Sequence, residues 1–227
     1  MQIRQVDVSI ADARSAKLFF DALTGFHDFS AVEALDMFAR NGQLTLCNYV
    51  HAVKAADAWE LCPDHAQALR SMGAREIRIG CSYRSLEETQ RRYGLIVVDT
   101  PQGVHANCQG ERRVEHFGVL DRIDRLVAER AVIVLYVNRQ PYDKAELGEH
   151  GYDRYEDYDF GYWMNVRSFF YSTDVPDDVS EERALGAYRR RLSACGLRVV
   201  NTLTVPCHSD VAGYPPYAFR LALEVER

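Results

Sequence analysis

Three carboxylates sit where a short apolar run gives way to a turn. Asp36 follows Ala34-Leu35, Glu60 follows Ala56-Asp57-Ala58-Trp59, and Asp99 ends the run Leu95-Ile96-Val97-Val98. In α/β proteins ligands bind outside the carboxyl ends of the strands, so acids at those ends are placed to meet one. A carboxylate offers two acceptor oxygens and no donor, and it can hold an amine or take its proton. Asp36 and Glu60 could equally be solvated strand-end acids; their shared frame favours the ligand role. After Asp36, Phe38-Ala39-Arg40-Asn41-Gly42 reads as a tight turn, and Gly42 opens a helix from Gln43 to about Ala52. Such a turn lets the backbone approach a ligand, and the unpaired N–H groups of the next helix start face it. Strand, turn and helix in this order are the grammar of a nucleotide-type site. Arg40 stands where such loops usually carry glycine.

Other chemistries find less support. The six cysteines, Cys47, Cys62, Cys81, Cys108, Cys195 and Cys207, form no Cys-x-x-Cys pair and no zinc-ligand spacing, so reduced thiols and no metal site are expected. No Ser/His/Asp ordering is visible. His105 falls in a loop where it could assist proton transfer, whereas His116 reads as a packed or solvated histidine on a helix.

The elements that must position these groups alternate in type. Strands are expected at Ala34–Met37, up to Glu60, at Glu76–Gly80, at Leu95–Val98 and at Ala131–Val137. Between them the patterning predicts a helix capped by Asp12 and ended by Gly25, and one started by Pro63 and closed by Gly73. It also predicts a helix from Leu86 to Arg92, and a long one from Glu111 to about Arg130 with Val114, Phe117, Leu120, Ile123 and Val127 inward. A capping box over Asp178–Glu181 starts a last helix that Gly196 stops, and two strands, Leu197–Val205 and Tyr217–Glu226, form a closing antiparallel pair. The fold class is therefore α/β: a doubly wound, mostly parallel sheet of about seven strands, helices on both faces, and an antiparallel C-terminal hairpin. Residues 1–227 read as one domain, with a helical lead-in over 1–30 and a Tyr-rich insertion or lid over 139–179. That stretch suits either a substrate platform or a homo-oligomer interface.

A formal charge of -6 does not describe a surface built to hold polyanions, and a local basic patch stays open. The Arg189-Arg190-Arg191 run fans round its helix as a solvated face would. No apolar run is long enough to span a bilayer, and Met1–Asp7 has no signal-peptide character, so the cytoplasm is the expected compartment.

These motifs, in order, resemble the class I S-adenosylmethionine-dependent methyltransferases. Ala34 to Gly42 looks like that family's first motif with one glycine replaced; Trp59 to His65 looks like its acid-ended second strand; Leu95 to Gly103 looks like its fourth-strand Asp-x-Pro motif. The resemblance implies S-adenosylmethionine as cofactor. Asp36 would orient the turn or reach the ligand amino group through water, and the Phe38, Ala39, Arg40, Asn41 and Gly42 backbone would meet the methionine part. Glu60 would accept from both ribose hydroxyls with Leu61 beside it, and Cys81 or Ser82 would lie by the adenine. Asp99, with Gln102, would hold or deprotonate the acceptor, a nucleobase or other amine, so nucleic acid enters as a partner only through this motif. Gln102 stands where amine-methylating members carry an aromatic. These departures support an alternative: a degenerate fold acting as a binding scaffold, with Arg40 filling the cofactor pocket. A dinucleotide enzyme fits less well, because one glycine makes a poor pyrophosphate cradle.

Overall fold

The computed structural model describes residues 2–98, 103–106, 110–139, 160–207 and 218–227, with residues 2–13 as backbone alone. The strands are β1 (Glu33–Met37), β2 (Ala55–Glu60), β3 (Glu76–Ile79), β4 (Tyr93–Val98), β5 (Val104–Ala106), β6 (Arg112–Val114), β7 (Val127–Asn138), β8 (Arg198–Cys207) and β9 (Ala218–Glu226). The helices are α1 (Gln2–Phe26), α2 (Leu46–Tyr49), α3 (Ala66–Ser71), α4 (Ser82–Glu88), α5 (Phe117–Leu120), α6 (Phe160–Tyr171) and α7 (Glu181–Ala194).

Seven strands form one sheet in the order β3-β2-β1-β4-β7-β9-β8. The first five are parallel; β9 runs antiparallel between β7 and β8. β4, the continuous β-branched run, lies at the centre, as a strand buried on both faces should. Successive side chains point to opposite faces, so β4 divides its residues between two cores. Ile96 and Val98 join Leu35, Trp59 and Leu135 under α5, α6 and α7; Leu95 and Val97 join Ala34, Ala58 and Val134 under α1, α2 and α3. Among the described residues, no helix is long and apolar enough to cross a membrane.

Several expected boundaries move. α1 runs through both Asp12 and Gly25, so neither ends it. α2 begins at Leu46, because three left-handed residues occupy the preceding turn. α4 starts at Ser82 and stops at Glu88, where Thr89 turns extended. The long helix over 111–130 does not form. Val114 pairs with Val104 in the β5–β6 hairpin, and Glu115 has φ 44°, which no right-handed helix accommodates. The five inward residues are buried as expected, but in a hairpin, a one-turn helix, a 3-10 turn and the start of β7. Ser180, not Asp178, caps α7: its hydroxyl accepts the Arg183 N–H at 3.3 Å.

Candidate functional site

The turn after β1 alternates in hand. Phe38, Arg40 and Gly42 have φ of 59°, 50° and 77°. Two left-handed non-glycine residues in one turn are costly, and such strain collects at ligand sites. The Ala39 N–H donates to the Trp59 carbonyl at 3.0 Å, stitching the turn to β2. Gly42 serves packing as much as approach: a Cβ there would lie 2.8 Å from Met72 Sδ and 3.1 Å from Leu69 Cδ2. Asp36 is fully buried and faces α2, where its Oδ2 accepts from Thr45 Oγ1 at 2.6 Å and from the Tyr49 hydroxyl at 3.1 Å. It therefore anchors the start of α2 against β1.

Glu60 ends β2 directly beside this turn. Its Oε2 accepts the Arg40 N–H at 2.6 Å and its Oε1 the Cys62 N–H at 2.8 Å; His65 Nδ1 lies 3.2 Å from Oε1. Each carboxylate oxygen has two lone pairs; among the described residues Oε2 meets only the Arg40 N–H, whereas Oε1 faces both Cys62 and His65. Leu61 is 71% exposed and Ile79 43%, leaving an apolar flank past the ends of β2 and β3. The Arg40 side chain is exposed.

Cys81 ends the turn after β3 in an extended conformation, and Ser82 is buried at the start of α4. Tyr83 follows and gathers a cluster that the sequence did not reveal. Its ring meets Phe38 edge-on at 5.8 Å and stacks with His105 at 6.0 Å; its hydroxyl is 3.2 Å from His105 Nε2, and Arg113 lies over its face. Burial, with Arg113 nearby, pulls the His105 pKa down to about 4, so the ring is neutral near pH 7. Burial pushes the Tyr83 phenol up, so it keeps its proton.

Asp99 and Gln102 lie outside the described residues, as do Cys108 and the aromatics Tyr142, Tyr152, Tyr155 and Tyr158. The chain reappears at Gly103, whose carbonyl accepts the Glu115 N–H at 2.9 Å. Glu115 Oε1 accepts from Trp163 Nε1 at 2.9 Å and from Arg167 Nη1. Arg167 also donates to the carbonyls of Pro176 at 2.7 Å, Asn138 at 2.9 Å and Arg139 at 3.2 Å. His116 Nε2 meets the Tyr188 hydroxyl at 2.7 Å, and Tyr188 meets Tyr171 at 3.1 Å. Trp163, Phe170 and Tyr171 are thus core residues, whereas Phe169 of the same helix is 81% exposed. Arg190 and Arg191 are drawn back onto the protein, at Ser172 and Asp121.

A cavity of about 250 Å³ opens at the opposite, amino edge of the sheet, lined by Asp57, Glu76, Arg78, Arg91 and Tyr93. Its charges are satisfied internally. Arg75 grips Asp57 with two bonds of 2.8 Å, and Arg91 adds one of 2.6 Å. Burial pushes the Asp57 pKa up, but the two arginines outweigh it and hold it below the usual carboxylate range. This cluster clasps the strand starts, away from the carboxyl edge where α/β ligands bind.

No family model matches the sequence, and no curated protein matches it significantly. Solved structures do match over nearly the whole chain. The M. jannaschii TYW2 structure in complex with AdoMet superposes with a TM-score of 0.52 at 12% identity, over 93% of this chain and 76% of that one. A Synechocystis magnesium protoporphyrin IX methyltransferase with bound SAH gives 0.54 at 11% identity, over 98% and 86%. A putative SAM-dependent methyltransferase from Streptococcus mutans gives 0.55 at 8% identity, over 91% of this chain and 48% of that one. The fold is that of the class I methyltransferases. Within the methyltransferase fold, Asp36, Glu60 and Cys81 fall at the carboxyl edges of β1, β2 and β3, and Gly103 follows β4.

Proposed function

We propose that the protein is an S-adenosylmethionine-dependent methyltransferase acting on an amine nitrogen, a nucleobase being one such acceptor. Glu60 carries the reading: a carboxylate at the end of β2, fixed by two backbone N–H bonds at the edge of a left-handed turn, with a second acceptor direction on Oε2 and His65 beside Oε1. A carboxylate so placed suits the ribose hydroxyls, because it accepts and does not donate. Leu61 provides an apolar flank for the base, with Cys81 and Ser82 beyond it. The backbone of Phe38 to Gly42 meets the methionine part, and Asp36 anchors the start of the helix that follows through Thr45 and Tyr49. Two of the structural neighbours were solved with AdoMet or SAH, which supports the same choice of cofactor here.

Bound there, S-adenosylmethionine supplies an electrophilic methyl group on a sulfonium. This chain's contribution is positioning, because acceptor nitrogen, methyl and sulfur must align for direct displacement. We assign Asp99 to holding the acceptor N–H or taking its proton, and Gln102 to a hydrogen bond on the same group; both assignments rest on the fourth-strand similarity. A scaffold with Arg40 inside the pocket finds no support in the exposed position of that side chain. The test is calorimetric titration with S-adenosylmethionine and with S-adenosylhomocysteine. Micromolar binding, about 8 kcal/mol, is expected. No binding at millimolar ligand overturns the reading.

A further inference from the structure

Glu60 is only 6% exposed, and a charge so far out of water needs partners. Among the described residues the one basic side chain paired with it is His65, whose Nδ1 lies 3.2 Å from Oε1. The local chain puts it there. Pro63 opens a 3-10 turn over Pro63–His65, and the His65 N–H bonds back to the Cys62 carbonyl at 3.3 Å, which folds the ring over the end of β2. The ring is 37% exposed, yet Nδ1 is shut off from water and, among the described residues, makes no aligned hydrogen bond. A half-exposed ring has room to turn that nitrogen outward, and leaving it short of a bond is costly. It faces the carboxylate all the same. A bare lone pair at Nδ1 would be repelled by the oxygen, so Nδ1 carries the proton and points it at Oε1.

The two oxygens of Glu60 are therefore not equivalent. Oε1 lies between the Cys62 N–H and the His65 ring, while Oε2 meets the Arg40 N–H at 2.6 Å and keeps a second acceptor direction. The terminal torsion of a glutamate is soft, so the direction of that free lone pair depends on what grips the other oxygen. Hydrogen bonds at binding sites are often long before the ligand arrives and tighten with it. We infer that His65 is a positioning residue for the methyl donor: its Nδ1–H closes onto Oε1 as a ribose hydroxyl takes up Oε2, and so fixes the plane of the Glu60 carboxylate. This rests on the methyltransferase reading above.

The test is calorimetric titration of the full chain with S-adenosylhomocysteine and with its dideoxyribose analogue, which lacks both hydroxyls. The parent is compared with His65→Phe, which keeps a ring without a donor, with His65→Ala, and with His65→Asn, whose amide N–H can stand close to where Nδ1 does. The parent is expected to prefer S-adenosylhomocysteine over the analogue by about a hundredfold. In His65→Phe and His65→Ala that preference should fall about tenfold, through weaker binding of S-adenosylhomocysteine, with the analogue bound within about threefold of the parent. His65→Asn should keep the preference within about threefold of the parent. The preference is read within each variant, so a smaller folded fraction, which affects both ligands alike, leaves it unmoved. Parental preference in His65→Phe and His65→Ala makes the ring a packing residue and overturns the inference. So does a His65→Asn protein that loses the preference as fully as they do. A parent that binds both ligands equally removes the ribose role of Glu60 and the inference with it, whereas a parent that binds neither removes the methyltransferase reading itself.

Discussion

The backbone N–H of Arg40 donates to Glu60 Oε2 at 2.6 Å, across twenty residues of sequence. The turn after β1 and the acid at the end of β2 are therefore one hydrogen-bonded unit, and disturbing either disturbs both. Glu60→Ala removes the acceptor from the Arg40 and Cys62 amides together with the proposed ribose contact. The expected loss is about 1–3 kcal/mol of stability, and S-adenosylhomocysteine affinity falls roughly ten- to a hundredfold. Calorimetry and urea unfolding check the two parts separately. Parental affinity in Glu60→Ala would show that the ribose assignment is wrong.

Gly42→Ala tests the turn from its other side. An alanine there must hold φ 77° while its Cβ presses on Met72 and Leu69 of the α3 region. The expected cost is about 1–3 kcal/mol, read as a lower urea midpoint with an unchanged slope. An unshifted midpoint would count against the packing described for Gly42.

Asp36 is predicted to matter for folding before it matters for binding. Asp36→Ala strands the Thr45 and Tyr49 hydroxyls in a dry interior and should cost about 2–4 kcal/mol, whereas Tyr49→Phe removes one donor and should cost about 1 kcal/mol. Equal losses in the two variants would mean that the carboxylate has no role beyond the tyrosine bond.

Stability should fall on mild acidification. Burial, reinforced by Arg113, depresses His105 to about 4, and burial, reinforced by Arg167, depresses His116 to about 3. The unfolded chain takes up these protons near pH 6.5, so below that pH it binds more protons than the folded chain. Stability is then complete above about pH 6.5 and is lost as pH falls toward about 4, each histidine adding at most about 1.4 kcal/mol per pH unit. Urea unfolding between about pH 7 and 5 measures the slope, and His105→Gln should flatten it by up to one proton. An unchanged slope in that variant would show that His105 titrates normally.

The five parallel strands were legible because apolar or alternating runs stop at clear breaks, and the ends of β1, β2 and β3 border the candidate site. Ser180 and Asp178 show the limit of local patterns. Both are good capping residues, and the choice between them goes to Ser180 while Asp178 pairs with Arg139. Val114, Phe117, Leu120, Ile123 and Val127 show a deeper limit. Spacing near three reports burial on one side, which a hairpin followed by short turns also delivers, and the pairing of Val104 with Val114 is a tertiary choice. Glu115 with Arg167, and Tyr83 with His105, were hidden for a related reason. Partners separated by 52 and 22 residues leave no periodic trace.

The position of β9 also sets an order in time. β9 bonds to β7 on one side and β8 on the other, with Arg130 opposite Glu226 and Asn138 opposite Ala218. During synthesis β7 is complete long before its neighbour exists, and β8 emerges with nothing to pair against. A nascent chain stopped short of Ala218 therefore carries a bare apolar strand edge of the kind that recruits other chains. Sheet closure waits on β9, so the edges of β7 and β8 stay open until Ala218–Glu226 has been made.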